Sequence, residues 1–309
     1  KPMRRRVRRA LRTPSARRAQ EPLRIRLLRD KWLPNAYKMS LFQQLTCCSD
    51  EKVTELVSAA LRIPFGRFSA SPGPPCLLAG GNRELLDQAL AAMDEHVLGH
   101  LEAKREVLLT LSQWTVGSPT TIALGLQGPP GIGKTTFVKH AIASALNRPL
   151  CVVCLGGATD VSYLLGHGFT YQGSRHGRLV QCLMEAGVSD PIIFFDELDK
   201  VSQTAKGDEI INALIHLTDP QQNAAVRDRY FEGMDIDFSR CMLVFSYNDE
   251  RNISPVLLDR LKRIRLQSPS PADKVAIVTE HIVPRMQRQL GAPRCTMSAP
   301  AIAQIVQHH

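Results

Sequence analysis

The stretch QGPPGIGKTT, Gln127–Thr136, decides the fold. It joins an apolar run, Thr121–Gln127, to a helical pattern, Lys134–Leu146. Gly128, Pro129, Pro130, Gly131, Ile132, Gly133, Lys134 and Thr135 satisfy the phosphate-binding loop pattern, with Thr136 continuing into the helix. Phosphate oxygens need backbone N–H groups at close range, and glycines let the backbone approach. The N-terminus of the following helix adds its dipole. Lys134 then neutralises the β- and γ-phosphates and Thr135 ligates Mg²⁺. ATP and Mg²⁺ are the cofactors this reading implies.

Working outward, Leu150–Leu155, Pro191–Phe195 and Cys241–Tyr247 are also short runs rich in β-branched and aromatic residues. Each fits a strand buried on both faces. Arg178–Glu185 and Asp208–Leu217 have helical spacing, and Arg263–Leu266 fits a fifth strand. Strands alternating with helices predict an α/β fold with a parallel five-stranded sheet covered on both sides. Its expected span is 82–268. Asn82–Trp114 reads as helix with a break near Gly99. A partial α-helical lid is expected over 269–309, after the boundary SPSPADK. Residues 32–81 read as a helical segment, capped by Asp50, with Val53, Leu56, Val57, Ala60 and Leu61 on one face, followed by the linker SASPGPPCLLAGG.

PIIFFDELDK places Asp196 and Glu197 at the C-terminal end of a buried strand, the edge where open α/β sheets bind ligands. Asp196 would hold Mg²⁺ through its water shell, and Glu197 would orient the attacking water. The competing reading is two carboxylates capping a helix. Beside a phosphate loop, the pair points to hydrolysis rather than transfer. A later strand ends at Asn248, whose amide can contact the γ-phosphate and the water. Twelve residues on, Arg260 fits an arginine finger supplied to a neighbouring subunit, or a surface arginine paired with Asp259 or Asp249.

Net charge is +10, yet 13 of the Lys and Arg residues lie in 1–31 against only two acids. The remaining chain is near neutral. Residues 1–31 are expected to be a disordered basic tail. They equally fit a nuclear signal, a nucleic-acid arm or part of an organelle transit peptide. Residue 1 is Lys, so the natural start is expected upstream. No apolar run reaches the length of a membrane span, so no membrane partner is expected. Eight Cys are scattered without a disulfide rhythm, and the one C-x-x-C, Cys151 and Cys154 inside LCVVCL, reads as buried strand thiols rather than a metal or redox site, which points to a reducing intracellular compartment. That compartment is the cytoplasm, the nucleus or an organelle matrix such as the mitochondrion.

Taken together, GPPGIGKTT, FFDELDK, the strand-terminal Asn248 and LLDR resemble an AAA+ ATPase. More narrowly, the chain is similar to the ATPase module of the Lon family. LRIPFGRF, LGGATD, GHGFTYQGSRHGRLVQ, LTDPQQNAAVRDRYFE and SPVLLDRLKRIRL carry that resemblance across roughly 60–309. The divergent Lon-like ATPases of some large DNA viruses and algae are similar in kind. The resemblance implies Glu197, Asn248 and Arg260 as catalytic residues, Arg260 acting across an interface. It implies Val97 and Leu98, in VLGHLEAK, as adenine contacts, where an ordinary helix start competes. It also implies a hexameric homo-oligomeric ring that unfolds and translocates polypeptide. Thr159 stands where the family usually has Arg. A Ser-Lys peptidase domain is not expected in this chain, nor the Gly-Val-Arg segment that supplies the family's second sensor arginine.

One loop carries the cargo reading. Tyr171 sits among Gly168, Gly173 and Gly177 in GHGFTYQGSRHGRL. Either its ring packs back on the domain, or it projects into the pore and grips an extended chain. In the second case the glycines let the loop follow nucleotide state. The family resemblance implies Tyr171 and Gln172 as the pore pair, with Gln172 replacing the usual aliphatic residue. Two other classes remain: an AAA+ protein acting on nucleic acid through its basic tail, and an inactive or fragmentary relative.

Overall fold

The structure, a computed structural model, describes residues 22–47, 50–69, 83–115, 122–171, 173–291, 301–302 and 304. Five strands pair in parallel: β1 (Ala123–Gln127), β2 (Leu150–Cys154), β3 (Ile192–Asp196), β6 (Met242–Tyr247) and β7 (Lys262–Arg265). Their order is β2-β3-β6-β1-β7. Between β3 and β6 the chain adds a short antiparallel hairpin, β4 (Val226–Arg227) and β5 (Asp235–Ile236), which the sequence patterns did not reveal.

Side chains alternate along a strand, so each buried run splits between two cores. Leu124, Leu126, Ile192, Phe194, Met242 and Val244 face one side. There they meet α4 (Arg83–His96), α5 (Leu101–Thr115) and α6 through Met93, Val107, Phe137 and Ile142. Helix α6 begins as Lys134–Thr136, is π-wound over Phe137–Ile142 and ends as Ala143–Leu146. Ile193, Phe195, Leu243, Phe245 and Tyr247 face the other side. Phe195 and Phe245 stack there at 4.8 Å. That face is covered by α7 (Ser162–Leu165), α8 (Arg178–Ala186), α9 (Ala205–Thr218), α10 (Pro255–Leu258) and three N-terminal helices. Each large side chain so buried contributes about 1.5–3 kcal/mol.

The N-terminal helices are α1 (Leu23–Arg29), α2 (Asn35–Cys47) and α3 (Glu51–Ala60). The disordered tail drawn to Lys31 therefore ends too late. Residues 23–29 are helical, and Leu27 is fully buried in the same core as Leu41, Val57 and the sheet. Charge count masked the apolar positions of LRIRLLR. Past α3, Ser69 donates its N–H (2.7 Å) and hydroxyl (2.6 Å) to Asp190, which also pairs with buried Arg148. These bonds fasten the segment to the foot of β3.

The edge strand β2 departs from the reading of burial on both faces. Val152 is 41% exposed and Cys154 is exposed, while Cys151 and Val153 are buried. An edge strand here has one open face, so Cys154 is not the buried thiol expected. After β7, Ser270 and Asp273 form a reciprocal capping box that starts α11. This helix runs as Pro271–Ile277, Val278–Ile282 and Val283–Leu290. No described helix is long and apolar enough to cross a membrane.

Candidate active site

Because the strands are parallel, the C-terminal ends of β1, β3 and β6 share one edge, and Gln127 lies level with Tyr247. The phosphate loop leaves β1 there. Gly131 (φ +79°) and Gly133 (φ +86°) adopt the left-handed conformation that glycine permits. Gly128 is required for a different reason. A Cβ there would overlap Ile132 and lie 2.6 Å from the Leu266 carbonyl oxygen.

Lys134 Nζ donates to the carbonyls of Gly128 (2.8 Å) and Pro129 (3.1 Å) and to Asn248 Oδ1 (2.6 Å). Burial lowers its pKa, while Asp196 and Asp199 pull the other way. An ammonium held by three neutral oxygens at the mouth of a glycine loop is poised to exchange them for phosphate oxygens. Thr135 Oγ1 lies 3.3 Å from Asp196 Oδ2. A hydroxyl and a carboxylate oxygen this close are the hard donors Mg²⁺ takes beside phosphate and water. The residues present thus fit a magnesium nucleotide.

Glu197 has φ +61°, a strained value for a non-glycine residue. Its N–H meets Asp196 Oδ1 (3.1 Å) and Ser246 Oγ (3.3 Å), and the Ser246 hydroxyl also donates to Asp196 Oδ1. The Glu197 carboxylate reaches across to β2, where Cys154 Sγ is 3.7 Å from Oε2 and a Cβ on Gly156 would overlap it. Asp199 Oδ2 accepts the N–H groups of Asn248 (3.2 Å) and Asp249 (3.3 Å), fixing the turn that presents Asn248. Motif reading missed Ser246, Asp199, Cys154 and Gly156. Their roles depend on strand neighbours that are distant in sequence. Helix capping by Asp196 and Glu197 does not hold: the short 3-10 turn after them has no side-chain cap.

Beside the phosphate loop lies a cleft of about 330 Å³, lined among others by Leu98, Gly99, His100, Arg265 and Asp273. Leu98 is on its wall. Val97 is not: it is 8% exposed and packs with Met93 in the core, so the expected pair of adenine contacts divides. His100, in left-handed conformation, hydrogen-bonds the Ile132 backbone, linking cleft to loop. Burial first, then Lys104, lowers its pKa and favours the neutral ring.

Arg260 stands apart from this cluster. Its guanidinium pairs with Asp219 at 3.3 Å, neither with Asp259 nor with Asp249, which pairs with Arg251. Tyr171 is 70% exposed, so its ring does not pack into the domain. Gln172 lies outside the described residues. Gly177 is not a hinge: a Cβ there would overlap the Leu164 carbonyl, and its N–H is held by Asp228. Among the described residues no group of three or more His, Cys, Asp and Glu forms a metal site.

Residues 124–269 match the family described as "ATPase family associated with various cellular activities (AAA)". A Lon protease homolog of Acanthamoeba polyphaga mimivirus is 38% identical over 216 residues, 69% of this chain and 21% of its own length. A Lon protease of Fusobacterium nucleatum is 34% identical over 216 residues, 70% of this chain and 28% of its own. A mitochondrial Lon protease homolog of Caenorhabditis briggsae is 30% identical over 241 residues, 76% of this chain and 25% of its own. The chain spans about a quarter of the length of these curated relatives. The fold and the phosphate-loop edge are those of a AAA ATPase domain. Within that class, this is a Lon-like AAA module.

Proposed function

We propose that this chain is the motor of a Lon-like machine, hydrolysing ATP to pull polypeptide through an oligomeric ring, probed most directly at Glu197. The observation that carries the reading is the convergence of Lys134, Thr135, Asp196, Glu197 and Asn248 on one sheet edge. Lys134 and the loop N–H groups bind phosphate. Thr135 and Asp196 would hold Mg²⁺, which supplies charge neutralisation on the phosphates when bound. Glu197 orients water, Asn248 holds the γ-phosphate end, and Leu98 and His100 flank the base. Arg260, lying outside its own site, serves a neighbour's, which calls for a ring, hexameric by likeness to the family. The exposed Tyr171 supports a pore that takes polypeptide as substrate.

The test is ATP turnover by the purified chain against its Glu197→Gln form. The variant binds ATP with unaltered affinity and turns over about 10²–10⁴-fold more slowly. Equal turnover in both overturns the reading.

A second reading, contact with nucleic acid, draws on a cleft of about 380 Å³ lined by Arg26, Arg29, Asp30, Lys31, Leu61 and Arg67 around exposed Trp32, four cations against the one carboxylate of Asp30, which pairs with Arg67. The Arg67 guanidinium lies 5.5 Å from the Trp32 ring centre. Salt-sensitive binding of single-stranded DNA, lost in Trp32→Ala, supports it; no binding at low salt removes it.

A further inference from the structure

We propose that Asp228 is the positioning residue of the Tyr171 loop: its carboxylate ties the base of the loop to the β4–β5 hairpin and leaves the tip as the part that moves. The inference rests on reading that loop as the element that grips polypeptide.

Asp228 follows β4 directly and is 2% exposed. Its Oδ2 accepts the Gly177 N–H at 2.7 Å, where the loop enters α8. Its Oδ1 accepts the Tyr230 N–H at 2.8 Å, within the hairpin. The incoming end of the loop meets the same carboxylate. A Cβ on Gly166 (φ +75°) would lie 2.7 Å from Asp228 Oδ1 and 2.8 Å from the Gly177 nitrogen. Both ends of the loop and the hairpin thus converge on one side chain. Two further backbone bonds close the base: Arg229 N–H to the Leu165 carbonyl (2.7 Å) and His167 N–H to the Arg175 carbonyl (3.0 Å).

Burying a carboxylate is costly unless its oxygens are satisfied. Charge-assisted bonds from backbone N–H groups, about twice as strong as neutral ones, offset part of that cost. Aromatic contacts extend the clamp along both arms. Phe169 meets Tyr230 edge-on at 5.7 Å, and His176 lies 6.0 Å from both Tyr230 and Phe231. Beyond them the ties weaken. Around Tyr171 the bonds are local turns to Gly168 (3.1 Å) and Ser174 (3.3 Å), with one exposed 3.4 Å contact from Lys52. Gly173 (φ +76°) has open space around it. The tip is drawn from the low-stability end of the fold, the base from the high end.

Amide hydrogen exchange on the full 309-residue chain tests the clamp. In the wild-type protein, Gly177 and Tyr230 exchange as slowly as the β6 amides. Asp228→Asn keeps the shape and removes the charge. It speeds exchange at those two amides by about ten- to a hundredfold, while β6 is unaffected. Basal ATP turnover is unchanged, and the polypeptide concentration giving half-maximal stimulation of turnover rises about tenfold. Fast wild-type exchange at Gly177 and Tyr230 overturns the clamp without recourse to any variant. So does an Asn variant that leaves them slow or speeds every amide alike. Tyr171→Ala separates the two ideas: if polypeptide stimulation survives it, the grip reading fails, while the exchange result still decides the clamp.

Discussion

Replacing Gly156 by Ala should switch off hydrolysis without touching the nucleotide. Gly156 is exposed at the end of β2, and its backbone is not left-handed, so alanine brings no backbone strain. Its Cβ, however, would overlap Glu197 Oε2 and lie 3.2 Å from the carboxyl carbon and 3.4 Å from Glu197 Cβ. Restoring ordinary contact, about 3.5–4.0 Å between carbons, requires the carboxylate to move by roughly 1 Å. The moving atom is the far end of a flexible side chain, so stability falls by less than about 0.5 kcal/mol. A catalytic group misplaced by about 1 Å costs on the order of 10²-fold in rate. Steady-state ATP hydrolysis should therefore drop about 100-fold, with nucleotide affinity and melting temperature preserved. Gly157→Ala is the internal control, because a Cβ there meets nothing within 4 Å. Full turnover by Gly156→Ala would refute Glu197 as the water-orienting group in this position. A loss of affinity in place of rate would refute the assignment just as well.

Arg260→Ala removes a solvent-screened surface ion pair with Asp219 and should leave stability nearly unchanged. As a finger serving a neighbour it should nevertheless cost about 10³-fold or more in turnover, with ATP binding to the isolated subunit retained; normal turnover at assembling concentrations excludes the trans role. Burial pushes the Asp228 carboxyl up to about 6 from 3.8. The folded chain then holds a proton that the unfolded chain releases, so this group's contribution to stability falls as pH rises from about 4 to about 6 and is flat above. Unfolding free energies from urea titration of wild type and Asp228→Asn should diverge in the variant's favour across that window, by up to about 3 kcal/mol. His176 titrates in both chains and cancels in the difference; parallel curves would show that Asp228 is not buried as described.

Much of the fold was legible because its signals are local. A phosphate loop between an apolar run and a helical pattern states its own geometry, since the glycines and Lys134 act within eight residues of one another. Asp196, Glu197 and Asn248 were legible for a similar reason, each standing at the end of a recognisable strand. Charge density misled at 23–29, where Leu27 anchors a helix that basic neighbours disguise. Composition misled at Cys154, because burial on two faces depends on which strand lies at the edge.

What the amino-acid order determined by itself was the class of site: a strand, a glycine loop, a lysine and two carboxylates, whose chemistry follows from covalent spacing. What only the tertiary structure decided was which side chains meet across strands. Ser246 reaches Asp196 because β3 and β6 are neighbours in register, and Gly156 faces Glu197 because β2 lies beside β3. Tyr171 was visible as an aromatic out of place in a glycine loop. That its base is held by Asp228, more than fifty residues later in the chain, followed only from folding. The physical reason is that parallel sheets join residues far apart in sequence, and spacing along the chain carries no trace of the register that pairs them.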